Sequence, residues 1–180
     1  MLFFSFRTLV VSSLLCVFSL HAQQPWSSVT APTNVRLNAI VYGDDRFVAV
    51  GEGGTVVTGS ANGTNWTTRS SGTTRTLRGI TYATSLKTFV AVGDAGTILS
   101  SPDGTTWTLR ASGVDRQLND IAWAPKRFAN PNVFIAVSEL GEALISYDLV
   151  SWTSRSIARQ GNVRGVPMPL RTIAAVGSEH

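Results

Sequence analysis

Hydrophobic and polar residues recur in a fixed four-part order from residue 37 onward. Each unit opens with a segment L-x-x-I-x-[YW] and continues with an entirely apolar run, FVAV at 47–50 and 89–92 and FIAV at 134–137. A third apolar segment follows after a glycine-rich turn, and a fourth opens at a tryptophan. The spacing has no convincing 3.6-residue period, so it predicts strands, here lettered A to D, and almost no helix.

The four-part unit is repeated along the chain. The units begin at Leu37, Leu77 and Leu118, and a partial fourth begins at Val163, so the starts lie 40, 41 and 45 residues apart. Four strands in about 40 residues are typical of a β-propeller blade. Strand B is apolar on both faces, as expected of a strand buried between two neighbouring sheets. We therefore predict an all-β fold, a β-propeller of four-stranded antiparallel blades that is either partial, with about 3.5 blades, or a small four-bladed ring.

The tryptophan spacing predicts how the units are arranged. Trp26 precedes Leu37 by 11 residues, the same interval that separates Trp66 from Leu77, so an isolated strand D is expected before the first unit. The predicted organisation is a signal peptide at 1–22, an N-terminal strand at 23–36, blades at 37–76, 77–117 and 118–162, and an incomplete blade at 163–180. We expect a fragment of a larger propeller; the alternatives are a compact ring with a three-stranded last blade, and an open arc whose exposed blade edges favour self-association.

The first 22 residues have the pattern of an export signal. Arg7 supplies the positive charge, residues 8–20 form an apolar run too short to span a bilayer comfortably, and Ala22 is a small residue at a plausible cleavage point. We expect a secreted or periplasmic protein with no stable membrane span after cleavage; an uncleaved anchor is the alternative. Cys16 lies in this segment, so the remaining chain offers no disulfide or cysteine nucleophile.

A second motif, S-x-[DN]-G-x-x-W, occupies the turn between strands C and D of each unit. Aspartate or asparagine can accept backbone N–H bonds across such a turn, and glycine permits the tight bend. The third unit has Leu149 in place of the glycine, so its turn is expected to be less regular. The repeated positions are Ser60, Asn62, Gly63 and Trp66; Ser101, Asp103, Gly104 and Trp107; and Ser146, Asp148 and Trp152.

This motif resembles the Asp-box, or BNR, repeat of sialidase-like propellers. The whole unit, with L-x-x-I-x-Y, F-V-A-V-G-x-x-G and S-x-D-G-x-x-W, is most similar to the repeats of photosystem II assembly-factor-type propellers. The resemblance implies a propeller fold in which the Asp-boxes are structural. It also implies one of two functions, because such repeats occur both in glycosidases and in assembly factors, where an arginine patch is associated with binding a membrane-protein partner.

Composition excludes several classes of function. The 15 Lys and Arg residues exceed the 11 Asp and Glu residues too slightly, and too diffusely, to indicate nucleic-acid binding. Beyond the signal the only histidine is His180, so a Ser-His-Asp triad or a histidine zinc site is not expected, and no cofactor or metal is predicted. A glycosidase with two carboxylates stays open. The adjacent pair Asp44 and Asp45 is predicted to form the turn between strands A and B.

Repeated charges indicate a candidate binding rim. In an up-and-down blade the B–C and D–A connections lie on one face, which would hold the acids Glu52, Asp94 and Glu139 beside the arginines Arg75 and Arg116. Arginine suits carboxylate or phosphate recognition, whereas surface ion pairing among these residues is the alternative.

These observations favour an exported, non-catalytic module for protein or ligand binding and assembly, whose partner is an unknown protein or glycan. The alternative is a fragment of a sialidase-like or other carbohydrate-active hydrolase. A purely structural repeat without a dedicated ligand is a third interpretation.

Overall fold

The computed structural model describes residues 28–125 and 132–156. The predicted signal peptide, the strand expected around Trp26 and the incomplete blade at 163–180 lie outside the described residues. Within them the chain forms three antiparallel sheets of four strands, and strands that follow each other in sequence are neighbours in each sheet. The all-β prediction of four-stranded propeller blades is confirmed.

Each sheet is one blade. Blade 1 contains β1 (Leu37–Gly43), β2 (Arg46–Gly51), β3 (Val56–Ser60) and β4 (Trp66–Arg69). Blade 2 contains β5 (Leu77–Ala83), β6 (Thr88–Gly93), β7 (Ile98–Ser101) and β8 (Thr108–Arg110). Blade 3 contains β9 (Leu118–Ala124), β10 (Val133–Ser138), β11 (Glu142–Ser146) and β12 (Thr153–Ser156). Three single turns of 3-10 helix, Glu52–Gly54, Thr84–Leu86 and Asp94–Gly96, join some of the strands.

The turns between strands fix where the strands begin. The third strand of blade 2 begins at Ile98, because the backbone N–H and hydroxyl of the preceding Thr97 both donate to the Asp94 carbonyl and close the 3-10 turn. Asp44 and Asp45 form the two-residue turn of blade 1, between the paired residues Gly43 and Arg46, and both have positive φ. That geometry is the one a tight two-residue hairpin requires.

The core lies between the blades rather than within one sheet. In β6, Phe89 and Ala91 pack into a cluster with β2 of blade 1, whereas Val90 and Val92 pack into a cluster with β10 of blade 3. All four side chains are fully buried. The run FVAV at 89–92 is apolar on both faces because each face meets another blade, as the sequence predicted.

The face of blade 1 that points away from blade 2 is composed of apolar residues like those that pack between blades. Ile40 is 57% exposed, whereas the matching residues Ile80 and Ile121 are 8% and 3% exposed, because each of those two contacts the preceding blade. Tyr42 on the same face is 48% exposed. The described residues therefore leave this apolar face uncovered, and self-association through open blade edges stays a prediction.

Phe89 offers a direct measure of how much the blade junction stabilises the fold. We expect Phe89→Ala to lower the free energy of unfolding by about 3–5 kcal/mol, because it removes a fully buried ring between two blades. Leu109→Ala in the same blade should change it by less than about 0.5 kcal/mol, because Leu109 is 68% exposed. Urea unfolding followed by tryptophan fluorescence measures both values, and equal losses would contradict burial between blades as the main stabilising term.

Candidate binding site on the arginine rim

The rim consists of the turns after the second strand of each blade and of the connections between blades. In every blade the backbone N–H of the acid at the turn donates to the carbonyl of the residue just before the first strand. These bonds join Glu52 to Arg36 at 2.9 Å, Asp94 to Thr76 at 2.9 Å and Glu139 to Gln117 at 3.1 Å. The two kinds of loop therefore lie side by side, as an up-and-down blade requires.

Two glycines allow the turns to press against the next connection. Gly54 and Gly96 have φ values of +73° and +65°, and a Cβ at either would lie 1.9 Å from a backbone carbonyl oxygen, that of Thr73 or Val114. Both the left-handed conformation and the close approach require glycine. The turns and the connections are thus fixed relative to each other.

The connections themselves repeat a motif that the sequence analysis did not identify, W-T-x-R-x-S-G-x-x-R, at 66–75 and 107–116. Ser71 and Ser112 are nearly fully buried, and each hydroxyl bonds to the N–H and the carbonyl of the residue two positions ahead. The first arginine of the motif donates through Nε to a hydroxyl on the neighbouring strand: Arg69 to Thr58 at 3.0 Å, and Arg110 to Ser100 at 2.7 Å. Alignment of the residues after each tryptophan reveals this motif.

Two of the predicted rim residues form ion pairs with partners outside the predicted set. Arg116 pairs with Glu142 of β11, not with Glu139, and both partners are about three-quarters buried. Asp94 pairs with Arg78 of β5, at 2.5 Å, not with Arg75. Glu139 accepts a bond from the backbone N–H of Gln117 at 3.3 Å.

Arg75 differs from its equivalent Arg116. Arg75 is exposed and has no ion pair among the described residues, and Glu52 has none either. The strand register explains the difference. Ala143 of β11 is equivalent to Ile98 of β7, so Glu142, just before Ala143, occupies the position of Thr97, just before Ile98. Blade 2 thus has a neutral threonine where blade 3 has the carboxylate that neutralises Arg116.

Two cavities open on the rim and share Gly72, Thr73 and Arg75. The notch of blade 1, of about 660 Å³, is lined by Arg69 and Arg75 together with seven serine and threonine residues, and its lining contains no carboxylate. The notch of blade 2, of about 510 Å³, is lined by Arg75, Arg110 and Arg116, with Asp115 beside them. The first notch therefore has a positive charge that no lining acid balances.

The Asp-box carboxylates are directed to their own turns. Asp103 accepts backbone bonds from Thr105 and Thr106 at 2.8 and 2.7 Å, and hydroxyl bonds from Ser101 and Thr105 at 3.0 and 2.7 Å. These donors, the Thr106 N–H foremost, hold the pKa of Asp103 far below its ordinary value. In blade 1, Asn62 accepts similar bonds from Ser60 and Thr64. These side chains serve as turn acceptors rather than as a pair of catalytic carboxylates.

The third box departs from the expected irregular turn. Leu149 takes a φ of +63°, close to the +68° of Gly104, and Asp148 bonds to the N–H groups of Val150 and Ser151 at 2.8 Å each. These bonds, that of Ser151 first, also lower the pKa of Asp148. Leu149 tolerates this conformation because its side chain is buried in the cluster between blades 2 and 3.

The indole bonds show where the third box does differ. Trp66 and Trp107 donate through Nε1 to the carbonyls of Gly63 and Gly104, at 2.8 and 3.2 Å. The buried Nε1 of Trp152 has no hydrogen-bond acceptor among the described residues. The leucine thus preserves the turn but not the indole bond.

No three His, Cys, Asp or Glu side chains in 28–125 and 132–156 lie close enough to hold a metal ion. In the same ranges no helix has the length and apolar character needed to cross a membrane.

Comparison with solved structures defines the class of protein as a β-propeller. The chain is similar to a structure of YCF48 bound to a D1 peptide, with a TM-score of 0.59 and 16% sequence identity. That match covers 74% of this chain and 43% of the YCF48 chain, so this chain spans less than half of the neighbour's length. YCF48 from Cyanidioschyzon merolae is also matched, with a TM-score of 0.36 and 13% identity over 78% of this chain and 60% of that one.

The resemblance to assembly-factor-type propellers that was inferred from the repeats is confirmed at the level of the fold. No protein-family model matches the chain, and no curated protein sequence does. The resemblance to sialidase-like Asp-box repeats stays a prediction.

The Asp-box of blade 2 should make stability depend on pH in acid. Because the pKa of Asp103 is lowered on folding, its contribution is present above the unfolded pKa near 3.8 and is lost as the pH falls below that value. Asp103→Asn should therefore flatten the decline of unfolding free energy below about pH 4. Asn62→Asp, which adds a carboxylate to the matching turn of blade 1, should steepen it. Urea unfolding from pH 5 to pH 2 tests both, and identical slopes in all three proteins would exclude this role.

The two rim arginines should differ in their effect on stability. Arg116→Gln leaves Glu142, which is about three-quarters buried, without its ion-pair partner and should cost roughly 1–2 kcal/mol. Arg75→Gln should stay within about 0.5 kcal/mol, because the side chain is exposed and has no ion pair in the described structure. Thermal or urea unfolding of the two variants provides the comparison, and a larger loss in Arg75→Gln would refute the assignment of Arg75 as unpaired.

Proposed function

We propose that the chain is an exported, non-catalytic β-propeller module that binds a protein partner through the rim around Arg75. The observation that carries this proposal is the difference between the rim arginines. Arg78 and Arg116 are engaged by Asp94 and Glu142, whereas exposed Arg75 has no acid partner among the described residues. A guanidinium that the fold leaves unpaired is available to a ligand carboxylate or phosphate.

The shape of the rim also supports a polypeptide ligand. The two notches lie on successive blades and share the loop that contains Gly72, Thr73 and Arg75. A ligand that binds Arg75 can therefore extend from one notch into the next, as an extended peptide would. YCF48, which has the same fold, has been solved with a D1 peptide bound, and this supports a peptide ligand for the related fold here.

Export rests on the pattern of residues 1–22, with Arg7 before the apolar run and Ala22 at the cleavage point. We propose a secreted or periplasmic location on that basis. Fusion of residues 1–30 to a reporter that is active only after export would test it, and activity that does not change when residues 8–20 are interrupted by charges would contradict it.

A peptide array tests the binding function. Fluorescein-labelled peptides with acidic residues or a free C-terminal carboxylate should bind the purified chain in fluorescence polarisation. Arg75→Glu should weaken that binding at least about tenfold, because it replaces attraction by repulsion at the contact. Lys87→Glu makes the same charge change in the turn between β5 and β6, which an up-and-down blade places on the opposite face, and should leave binding unchanged. Equal weakening in both variants, or no binding by any peptide, would refute the proposal.

A further inference from the structure

We propose that the notch of blade 1 is an oxyanion site that binds a carboxylate, phosphate or sulfate group. The site lies on the rim used by the proposed function, and the inference rests on that function while naming the chemical group that is recognised. Its charged residues are Arg69 of β4 and Arg75 of the following connection. The rest of its lining consists of hydroxyl residues, three glycines and one valine.

The donor set of the notch is matched to an anion. Serine and threonine hydroxyls contribute at seven positions, and arginine provides N–H groups in a planar fork that fits two oxygens at once. Arg69 is held in place by the bond from its Nε to Thr58, at 3.0 Å, and its two terminal nitrogens make no bond among the described residues. A fixed guanidinium loses less side-chain freedom on binding than a free one. The seven hydroxyl residues are Thr33, Thr55, Thr68, Ser70, Ser71, Thr73 and Thr74.

The glycines keep the notch open. Gly53 and Gly72 both have positive φ, and a Cβ built at either would meet no atom within 4 Å. The backbone at these two positions is therefore accessible from the notch, without a side chain to block a ligand.

The equivalent notch of blade 2 serves as an internal comparison. There the connection contains Asp115 where blade 1 has Thr74, and Arg116 is paired with Glu142 of blade 3. Blade 2 itself has Thr97 where blade 3 has Glu142, so it provides no carboxylate for Arg75. The two neutral threonines leave both arginine charges of the first notch unbalanced, whereas the two acids at the matching positions offset two of the three arginine charges that line the second. The larger unbalanced charge favours the first notch, that of blade 1, as the oxyanion site.

Acidic residues near the notch do not neutralise its two arginines. Glu52 precedes Gly53 in sequence but is not among the residues that line the cavity. Asp94, in the rim turn of blade 2, is engaged by Arg78 at 2.5 Å. The cavity of about 660 Å³ is larger than a single oxyanion needs, so the bound group is expected to be the charged end of a longer ligand.

Titration of the full chain with inorganic phosphate, sulfate and acetate, at constant ionic strength and with chloride as reference, tests the site. We expect saturable NMR shifts at the amides of Gly53, Gly72 and Thr73, with no matching shifts at Ser112 and Gly113 of the second connection. Phosphate and sulfate binding without acetate binding would assign a phosphorylated or sulfated ligand, and binding of all three would include carboxylates. Shifts that chloride reproduces, or that occur equally in both connections, would overturn the proposal.

Matched variants test separately the contribution of each arginine and the effect of the carboxylate that is absent at Thr97. Arg75→Gln and Arg69→Gln should each weaken anion binding by at least about fivefold, because each removes one charged donor. Thr97→Glu should also weaken it, by giving Arg75 the internal partner that Arg116 has. Arg155→Gln, at the position of β12 that matches Arg69, should leave it unchanged. Undiminished binding by folded Arg75→Gln would refute the site even if Thr97→Glu failed to fold.

The outcomes separate this inference from the proposed function. Peptide binding that depends on Arg75, without saturable binding of any small oxyanion, would overturn the oxyanion site and leave the binding module standing. Oxyanion binding without binding of any peptide would do the reverse.

Discussion

Burial of the second strand of blade 2 on both faces, between blades 1 and 3, is the constraint on which the rest of the structure depends. Phe89 and Ala91 need blade 1, and Val90 and Val92 need blade 3, so a single blade cannot shield its own central strand from water. Stability therefore comes from contacts between successive repeats, as in other repeat architectures. The same requirement explains why the outward face of blade 1, with Ile40 exposed, has the composition of a protein interior.

Because the strands pack through apolar side chains, polar side chains lie mainly in the loops, where many of them form hydrogen bonds or ion pairs within the protein. The Asp103 carboxylate closes its own turn, and the Arg46 guanidinium of blade 1 donates to the Asp103 carbonyl at 2.9 Å, so the box also joins two blades. On the rim, buried serines and close glycine contacts fix the connections against the turns. Arg75, by contrast, is an exposed rim residue whose charge has no ion-pair partner among the described residues.

The sequence predicted what depends on local periodicity. Four strands per unit, double-sided strands such as 89–92, and the turn at Asp44 and Asp45 follow from apolar spacing and turn chemistry. The pairing of Arg116 with Glu142 could not be predicted, because it joins residues 26 positions apart and depends on the register of β10 and β11. The turn at Leu149 was also beyond local rules, since burial in the cluster between blades 2 and 3 compensates for an unfavourable φ.

Differences between repeats, rather than the repeats themselves, make one blade chemically distinct from the next. Positions that are alike in successive blades, such as the buried Ser71 and Ser112, do the same structural work in each. Positions that differ, Thr97 against Glu142 and Thr74 against Asp115, change charge without disturbing the sheets, because they lie at strand ends and loops. Charge can therefore vary along the rim while the packing of the core stays constant. The unpaired Arg75, beside a notch whose lining contains no acid, is a consequence of that independence, and it is the basis of the anion site proposed for blade 1.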